Sequence, residues 1–367
     1  MNDRVVLLDH LRGLSILGIL IVNAIAFAQP AAVYGHPSLI PMSAADWTTW
    51  TLIEIFAHDK FVTSFTLLFG ISTFLVGREP HVLGRRLVWL AVFGILHGAL
   101  IWHGDILLLY AVAGLTFWNW RHGQWRRLLV WGLALFIAGT LFVNWPNAPD
   151  LRYDPLFVVQ MRSGFWGSLT GNLQEWTQEI LFEVGGYLPV TLGGMMIGLA
   201  LFKAGFLSGE APVRSYALGV LVGAASLGLI AAGVYAAGTW SDMVNGLFCL
   251  PVALGCASLL ALIGRVPWGR IALYPLACAG RMAFTNYLMQ SLIMTAIFYG
   301  GRGLGLFGTM AYAALVPIVA TVWIAQLILS PLWLSFFRYG PFEWLWRSLS
   351  HGRLMPIIGS AAYPSRP

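Results

Sequence analysis

Charge is what this chain has least of: Asp, Glu, Lys and Arg make up only 10% of its 367 residues, against 58% hydrophobic residues and a mean hydropathy of +0.75. A water-soluble core needs far less apolar material than that. No basic run with interleaved aromatics occurs, so the net charge of +6 does not point to nucleic acid. Cysteine is nearly absent too. Cys249, Cys256 and Cys278 all lie in apolar stretches without CxxC or Cys/His spacing, which argues against a disulfide framework and against a structural metal. No internal repeat or low-complexity tract stands out.

What remains is a set of apolar segments of spanning length, near 12–29, 55–77, 86–102, 105–120, 127–144, 181–202, 214–237, 244–264, 271–299 and 309–336. Runs this long must satisfy their backbone internally in lipid, so α-helix is their form. The expected fold is a single all-α polytopic bundle of about ten membrane-spanning helices. The 41 glycines and 17 tryptophans suit close helix packing and interfacial anchoring.

Sixteen Lys and Arg fall in alternate connections, among them Arg4, Arg12, Arg78, Arg85, Arg86, Arg126, Arg127, Lys203 and Arg366, whereas the opposite set holds only Arg152, Arg162 and Arg302. This asymmetry places both termini in the cytoplasm. Ala26-Phe27-Ala28 fits the pattern of a signal-peptidase site, but Asn23 interrupts the apolar run and Asp9 and Arg12 give a mixed front end, so the first span is expected to be retained. The connection near 145–180 opens with Pro146, Asn147, Pro149 and Asp150, then mixes Phe157, Phe165, Trp166 and Trp176 with polar residues, and is expected to form an outer cap on the membrane surface.

Ionisable groups inside spans are costly and are therefore the first candidates for function. Arg281, counted about ten residues into the ninth segment, falls roughly 15 Å deep at 1.5 Å per residue. Thr285 shares its helical face, with Asn286 and Gln290 on another; these amides also suit interhelical ties. Glu54, His58, Asp59 and Lys60 precede the second apolar run, at the outer edge of the hydrocarbon, where a solvated interfacial cluster is the alternative. His97, His103 and Asp105 gather at the outer corner of a tight helical hairpin, and Glu183 begins a nearby span. A histidine beside a carboxylate is the arrangement of an oriented general base, although Asp105 also suits a helix N-cap. On the inner side Arg12, Arg85 and Arg86, with Arg126 and Arg127, form basic collars, either topogenic or a seat for a phosphate-bearing donor or lipid head groups.

Several stretches together resemble the YeiB-like family of bacterial integral membrane proteins. They are Leu8-Asp9-His10-Leu11-Arg12-Gly13 with Asn23, Lys60-Phe61 through Phe69-Gly70, His97-Gly98 with Gly104-Asp105-Ile106-Leu107, Gly280-Arg281-Met282-Ala283 with Thr285-Asn286-Tyr287 and Gln290, and Gly340-Pro341 with Glu343-Trp344-Leu345-Trp346-Arg347. They run in order across nearly the whole chain; His58 and His103 are outside them. The resemblance implies a multi-pass protein of the bacterial cytoplasmic membrane. The opening Asp-x-x-Arg-Gly helix is also similar, more distantly, to membrane acyltransferases that use a histidine base, although that histidine has no equivalent position here.

Acyl transfer from a cytoplasmic acyl-CoA is the first function these residues fit. His97, Asp105, Arg281 and Lys60 would carry the chemistry, Glu54, Asn23, Glu183, Asn286 and Gln290 would hold a small-molecule or lipid acceptor, and Arg12, Arg85 and Arg86 the donor. No tightly bound cofactor and no metal is expected, and acyl-CoA would be a co-substrate. Transport of a small metabolite or lipid by the same intramembrane charges is the alternative, and a non-catalytic membrane partner a third. Membrane lipids are the expected surroundings; oligomeric state is open, a homodimer included.

Overall fold

The computed structural model describes residues 5–77, 79–145, 153–236 and 241–358. Arg4, Arg78, Pro146, Asn147, Pro149, Asp150, Arg152 and Arg366, named above, lie outside the described residues. The helices in chain order are α1 (Val6–Ala28), α2 (Ala32–Gly35), α3 (Ala44–Phe56), α4 (Lys60–Val76), α5 (Pro80–Leu100), α6 (Leu107–Phe117), α7 (Trp125–Val143), α8 (Pro155–Arg162) and α9 (Phe165–Lys203). They continue with α10 (Val213–Ala236), α11 (Ser241–Ile263), α12 (Pro267–Arg281), α13 (Ala283–Phe298), α14 (Tyr312–Phe336) and α15 (Pro341–His351). Among the described residues the only strand-like pairing is an isolated bridge between Phe337 and Ile358.

The protein is an all-α polytopic bundle, with eight helical stretches among the described residues long and apolar enough to cross a membrane. Two of the ten expected segments differ from simple spans. The fourth forms only the 11-residue α6, too short to cross hydrocarbon alone. The ninth is divided, because helix stops at Arg281, the chain turns at Met282 (φ −109°, ψ 26°), and α13 starts at Ala283.

α1 is the central post, with most of its length buried. It crosses α12 with backbones touching: a Cβ on Gly13 would collide with the carbonyl of Leu276, and one on Gly280 with the carbonyl of Asp9. Gly70 of α4 and Gly198 of α9 allow the same approach, against Met195 and Leu67. Without a hydrophobic force between helices in lipid, such close contact supplies dispersion over the whole interface. α3 begins with a Ser43/Asp46 capping box, and Asp46 also accepts the N–H of Ala313 at 2.9 Å, which ties α3 to the head of α14.

The expected outer cap is part helix and part extension. α8 packs against α9, which runs 39 residues without interruption, about 58 Å at 1.5 Å per residue, well beyond the roughly 30 Å of hydrocarbon. The outer end of α9 seats the loop after α13 through Ser168 Oγ, which donates to Gly300 O at 2.8 Å.

The break at Met282 frees backbone N–H groups that lipid cannot satisfy. Glu343 supplies the acceptors: its carboxylate takes the N–H of Phe284 at 2.7 Å, that of Thr285 at 3.0 Å and the Thr285 hydroxyl at 2.5 Å. Replacing Glu343 by Ala orphans both amides and is expected to destabilise the protein by about 2–6 kcal/mol at about 1–3 kcal/mol per buried unsatisfied group. Glu343→Gln, which keeps one acceptor oxygen, is expected to fall between the two. Thermal unfolding in detergent measures the order.

Candidate functional site

The α5–α6 hairpin closes in a few residues, so the last turn of α5 faces the head of α6. The His97 carbonyl accepts both Ile101 N–H and Trp102 N–H at 2.9 Å, which fixes the turn. Gly94 has no room for a Cβ against Asp105 and Leu108, and this brings the helices close enough for their side chains to meet. Asp105 Oδ2 accepts the N–H of Leu108 at 3.0 Å at the start of α6, and Oδ1 lies 2.9 Å from His97 Nδ1. The capping role and the histidine-orienting role thus fall to the same carboxylate, one on each oxygen.

A carboxylate only accepts, so His97 Nδ1 carries the proton and donates. In the neutral ring the lone pair is then on Nε2, which lies 2.8 Å from Ser291 Oγ on α13. His97, Asp105 and Ser291 are each 1% exposed. Ser291 is a residue that sequence reasoning missed; only the rotation of α13 distinguishes it from other hydroxyls in apolar helices. The Tyr287 ring tilts over His97 with centroids 5.1 Å apart, and Trp102 stacks on Phe27 at 4.0 Å. Asn23, Trp102, Tyr287, Gln290 and Ser291 line a cleft with room for about one water. Trp102, one of the lining residues, has a buried Nε1–H without a hydrogen-bond partner among the described residues.

The two amides expected near a substrate also tie helices. Asn286 donates to Ala279 O at 3.1 Å and Ser330 Oγ at 3.2 Å, and Gln290 donates to Ile16 O at 3.2 Å and Gln326 Oε1 at 2.9 Å. Only Gln290 reaches the cleft as well.

Lys60 and Glu54 belong to a second polar cluster. The Lys60 ammonium, 1% exposed, donates to the Glu54 carbonyl and to Asn245 Oδ1, while Glu54 Oε2 pairs with His58 Nδ1 at 2.6 Å. Asp59 between them has φ 64°, the one non-glycine residue in the left-handed region among the described residues; such strain survives only where the surroundings hold it. Glu183 lies within electrostatic reach of Asp105, Glu179 and His103. The outer turn of α9 meets His103: Glu179 Oε2 is 3.0 Å from Nδ1 and Glu175 Oε2 3.5 Å from Nε2. These three ligand atoms lie within 4.8 Å of one another, a spacing that also suits a cation.

Arg281 is not at mid-depth. Gly280 beside it touches Asp9 and Gly13 in the first turns of α1, so Arg281 sits at the cytoplasmic rim with Arg12. The depth estimate treated 271–299 as one helix, and the turn at Met282 removes that premise. Arg12 bonds Asp9 at 3.2 Å and Ser72 Oγ at 3.4 Å. Arg86 lies 3.8 Å over the Trp346 ring, within electrostatic reach of Arg12 and Arg347, while Arg85 reaches Gly352 after α15. This rim gathers cations from α1, α5, α12 and α15.

The family model described as "Protein of unknown function (DUF418)" matches residues 201–353. The Escherichia coli (strain K12) protein "Uncharacterized protein YeiB" is 32% identical over 98% of this chain and 100% of its own length. "Uncharacterized protein YxaH" of Bacillus subtilis (strain 168) is 29% identical over 97% of this chain and 96% of its own, and a Bacillus acidopullulyticus protein, "Uncharacterized 39.9 kDa protein in amylase 3'region", 24% over 98% and 97%. None of these descriptions names an activity. No solved structure matches the chain.

Burial alone would lower the proton affinity of His103, but the hydrogen bond to Glu179 and the charges of Glu175, Glu179 and Glu183 raise its pKa to about 9. A raised folded value stabilises the protein fully below the unfolded pKa of about 6.5, and the contribution is lost as pH rises through about 9. The melting temperature of the wild type is expected to fall further between pH 6 and pH 10 than that of His103→Gln, as paired thermal melts would read directly.

Proposed function

The chain belongs to the YeiB-like family of multi-pass membrane proteins of unknown function, and from that premise we propose that it transfers an acyl group, with His97 as general base. The hydrogen-bonded line Asp105–His97–Ser291 carries the proposal, because it holds one imidazole nitrogen on a carboxylate and sets the other against a hydroxyl in a site closed to bulk water.

The donor is an acyl-CoA, the acyl group being acetyl in the simplest case, with its phosphates on Arg12, Arg86 and Arg281. Guanidinium groups suit phosphate oxygens geometrically as well as by charge. The acceptor is a small-molecule or lipid hydroxyl or amine, oriented by Asn23 and Gln290 in the cleft and approaching past Glu183. Lys60 is too deeply committed to Glu54 and Asn245 to meet the thioester in this conformation. The membrane is the bacterial cytoplasmic membrane, as the organisms of the relatives suggest.

Transport is the second reading, favoured by Lys60. Its ammonium is buried against neutral oxygens, with the Glu54 carboxylate turned to His58. An ionisable group held this deep in a spanning segment is what a proton-coupled carrier uses. Accumulation in proteoliposomes that follows a proton gradient without covalent product would select this reading.

Purified protein in detergent or nanodiscs is expected to consume acetyl-CoA, releasing free thiol, and His97→Ala to lower that rate at least 100-fold with little change in melting temperature. Equal rates in wild type and variant, or no consumption of any acyl-CoA, would remove the proposed base.

A further inference from the structure

We propose that Ser291 is a covalent nucleophile, carrying the acyl group as a serine ester between donor and acceptor. This rests on the reading that the His97 corner handles acyl groups, and adds a residue, an intermediate and a second activity to it.

The first observation is where the hydroxyl proton goes. A serine inside a helix normally returns its proton to the carbonyl four residues back. Ser15, Ser64, Thr295 and Ser350 do so here at 2.7, 2.9, 2.8 and 2.6 Å. From Ser291 the carbonyl of Tyr287 is 3.4 Å away, whereas His97 Nε2 is at 2.8 Å. Ser291 can donate to either, and the nearer acceptor, when its Nε2 is unprotonated, is the imidazole. The second observation is the line beyond it. Asp105 Oδ1 fixes the opposite ring nitrogen, and all three groups are buried, which is the general form of a nucleophile, a base and the group that orients the base.

The third observation is Trp102, which lines the same cleft as Ser291 and Asn23 and whose buried Nε1–H has no hydrogen-bond partner among the described residues. A buried donor without a partner is costly in the resting state, and a tetrahedral oxyanion formed on Ser291 would supply the partner. Phe27 stacked on Trp102 holds the indole in place.

In the first half-reaction Ser291 Oγ attacks the thioester carbonyl and its proton passes to His97 Nε2. The tetrahedral intermediate collapses, the C–S bond breaks, and the thiolate leaves with the proton from His97. In the second half-reaction the acceptor hydroxyl or amine gives its proton to His97 and attacks the serine ester. The Ser291 C–O bond then breaks, and Oγ recovers the proton. Asp105 exchanges no proton in either half-reaction and acts as a positioning residue. Water in place of the acceptor gives slow thioester hydrolysis, so the protein would also be a weak thioesterase.

An alkyl fluorophosphonate tests the nucleophile without any assumption about the donor, since it phosphonylates an activated serine directly. Full-length protein in detergent is expected to gain one adduct, mapped to Ser291 by peptide mass spectrometry. Ser291→Ala should abolish labelling, and His97→Ala should slow it at least 100-fold, with melting temperatures of all three proteins within a few degrees. Absence of an adduct on the wild type, or an adduct elsewhere that persists in Ser291→Ala, overturns the assignment. Acetyl-CoA turnover separates this from the broader proposal. Consumption undiminished in Ser291→Ala overturns the serine ester but leaves His97 as direct base; labelling of Ser291 without consumption of any acyl-CoA keeps the nucleophile and removes the acyl-CoA donor.

Discussion

The carboxylate of Glu343 at the head of α13 is the interaction on which the inner architecture turns. A helix cannot stop inside a low-dielectric bundle unless its first amides find acceptors. Glu343 reaches them from α15, 58 residues beyond Thr285, and so permits α12 to end at Arg281 while α13 sets off from Ala283 in a new direction. That direction decides which side chains face α1, α5 and α14. Asn286 and Gln290 meet the two neighbours that they tie, and Ser291, one residue further on, turns to α5 and His97. The contact that presents the hydroxyl to the imidazole is thus prepared at the head of α13, about 9 Å along the helix from where it is used.

The same break explains what was legible in the sequence. Bulk composition and the placement of Arg and Lys contain the polytopic all-α class, because hydropathy acts on every residue alike. The proximity of His97 and Asp105 was also readable, since a short hairpin leaves few ways to separate them, although their hydrogen bond required the close approach at Gly94. Arg281 was placed too deep because the turn at Met282 contains no proline, and its cap lies far along the chain in Glu343. Ser291 gave no signal at all. Its role depends on a helix rotation set by Glu343, Asn286 and Gln290 together, and a single serine in an apolar run reads as packing.

The buried polar groups divide by what satisfies them. Asn286, Gln290 and Gln326 form a continuous chain through Gln326 Nε2, which donates to the Asn286 carbonyl at 3.0 Å, and the bundle needs them as ties. Ser291, one residue beyond Gln290, instead has the His97 imidazole as its nearest partner, at 2.8 Å. Amides that bond backbone carbonyls and other amides hold helices together, whereas a hydroxyl set against a ring nitrogen that can take up a proton is also fit for chemistry.

The distance between the cytoplasmic rim and this corner then sets what kind of donor fits. Arg12 and Asn23 are eleven residues apart on α1, about 16 Å along a helix. Anionic head groups held by Arg12, Arg86 and Arg281 would stay at the interface, where desolvation is cheapest. Only a reactive group on a long uncharged arm can then reach His97 without carrying charge into the bilayer. A thioester at the end of a phosphorylated carrier has that shape; a free carboxylate or an acyl phosphate, with its charge next to the reacting carbon, does not. On the proposed acyl transfer, the separation of the rim cations from His97 would select against charged small donors by the same solvation cost that makes intramembrane charges rare.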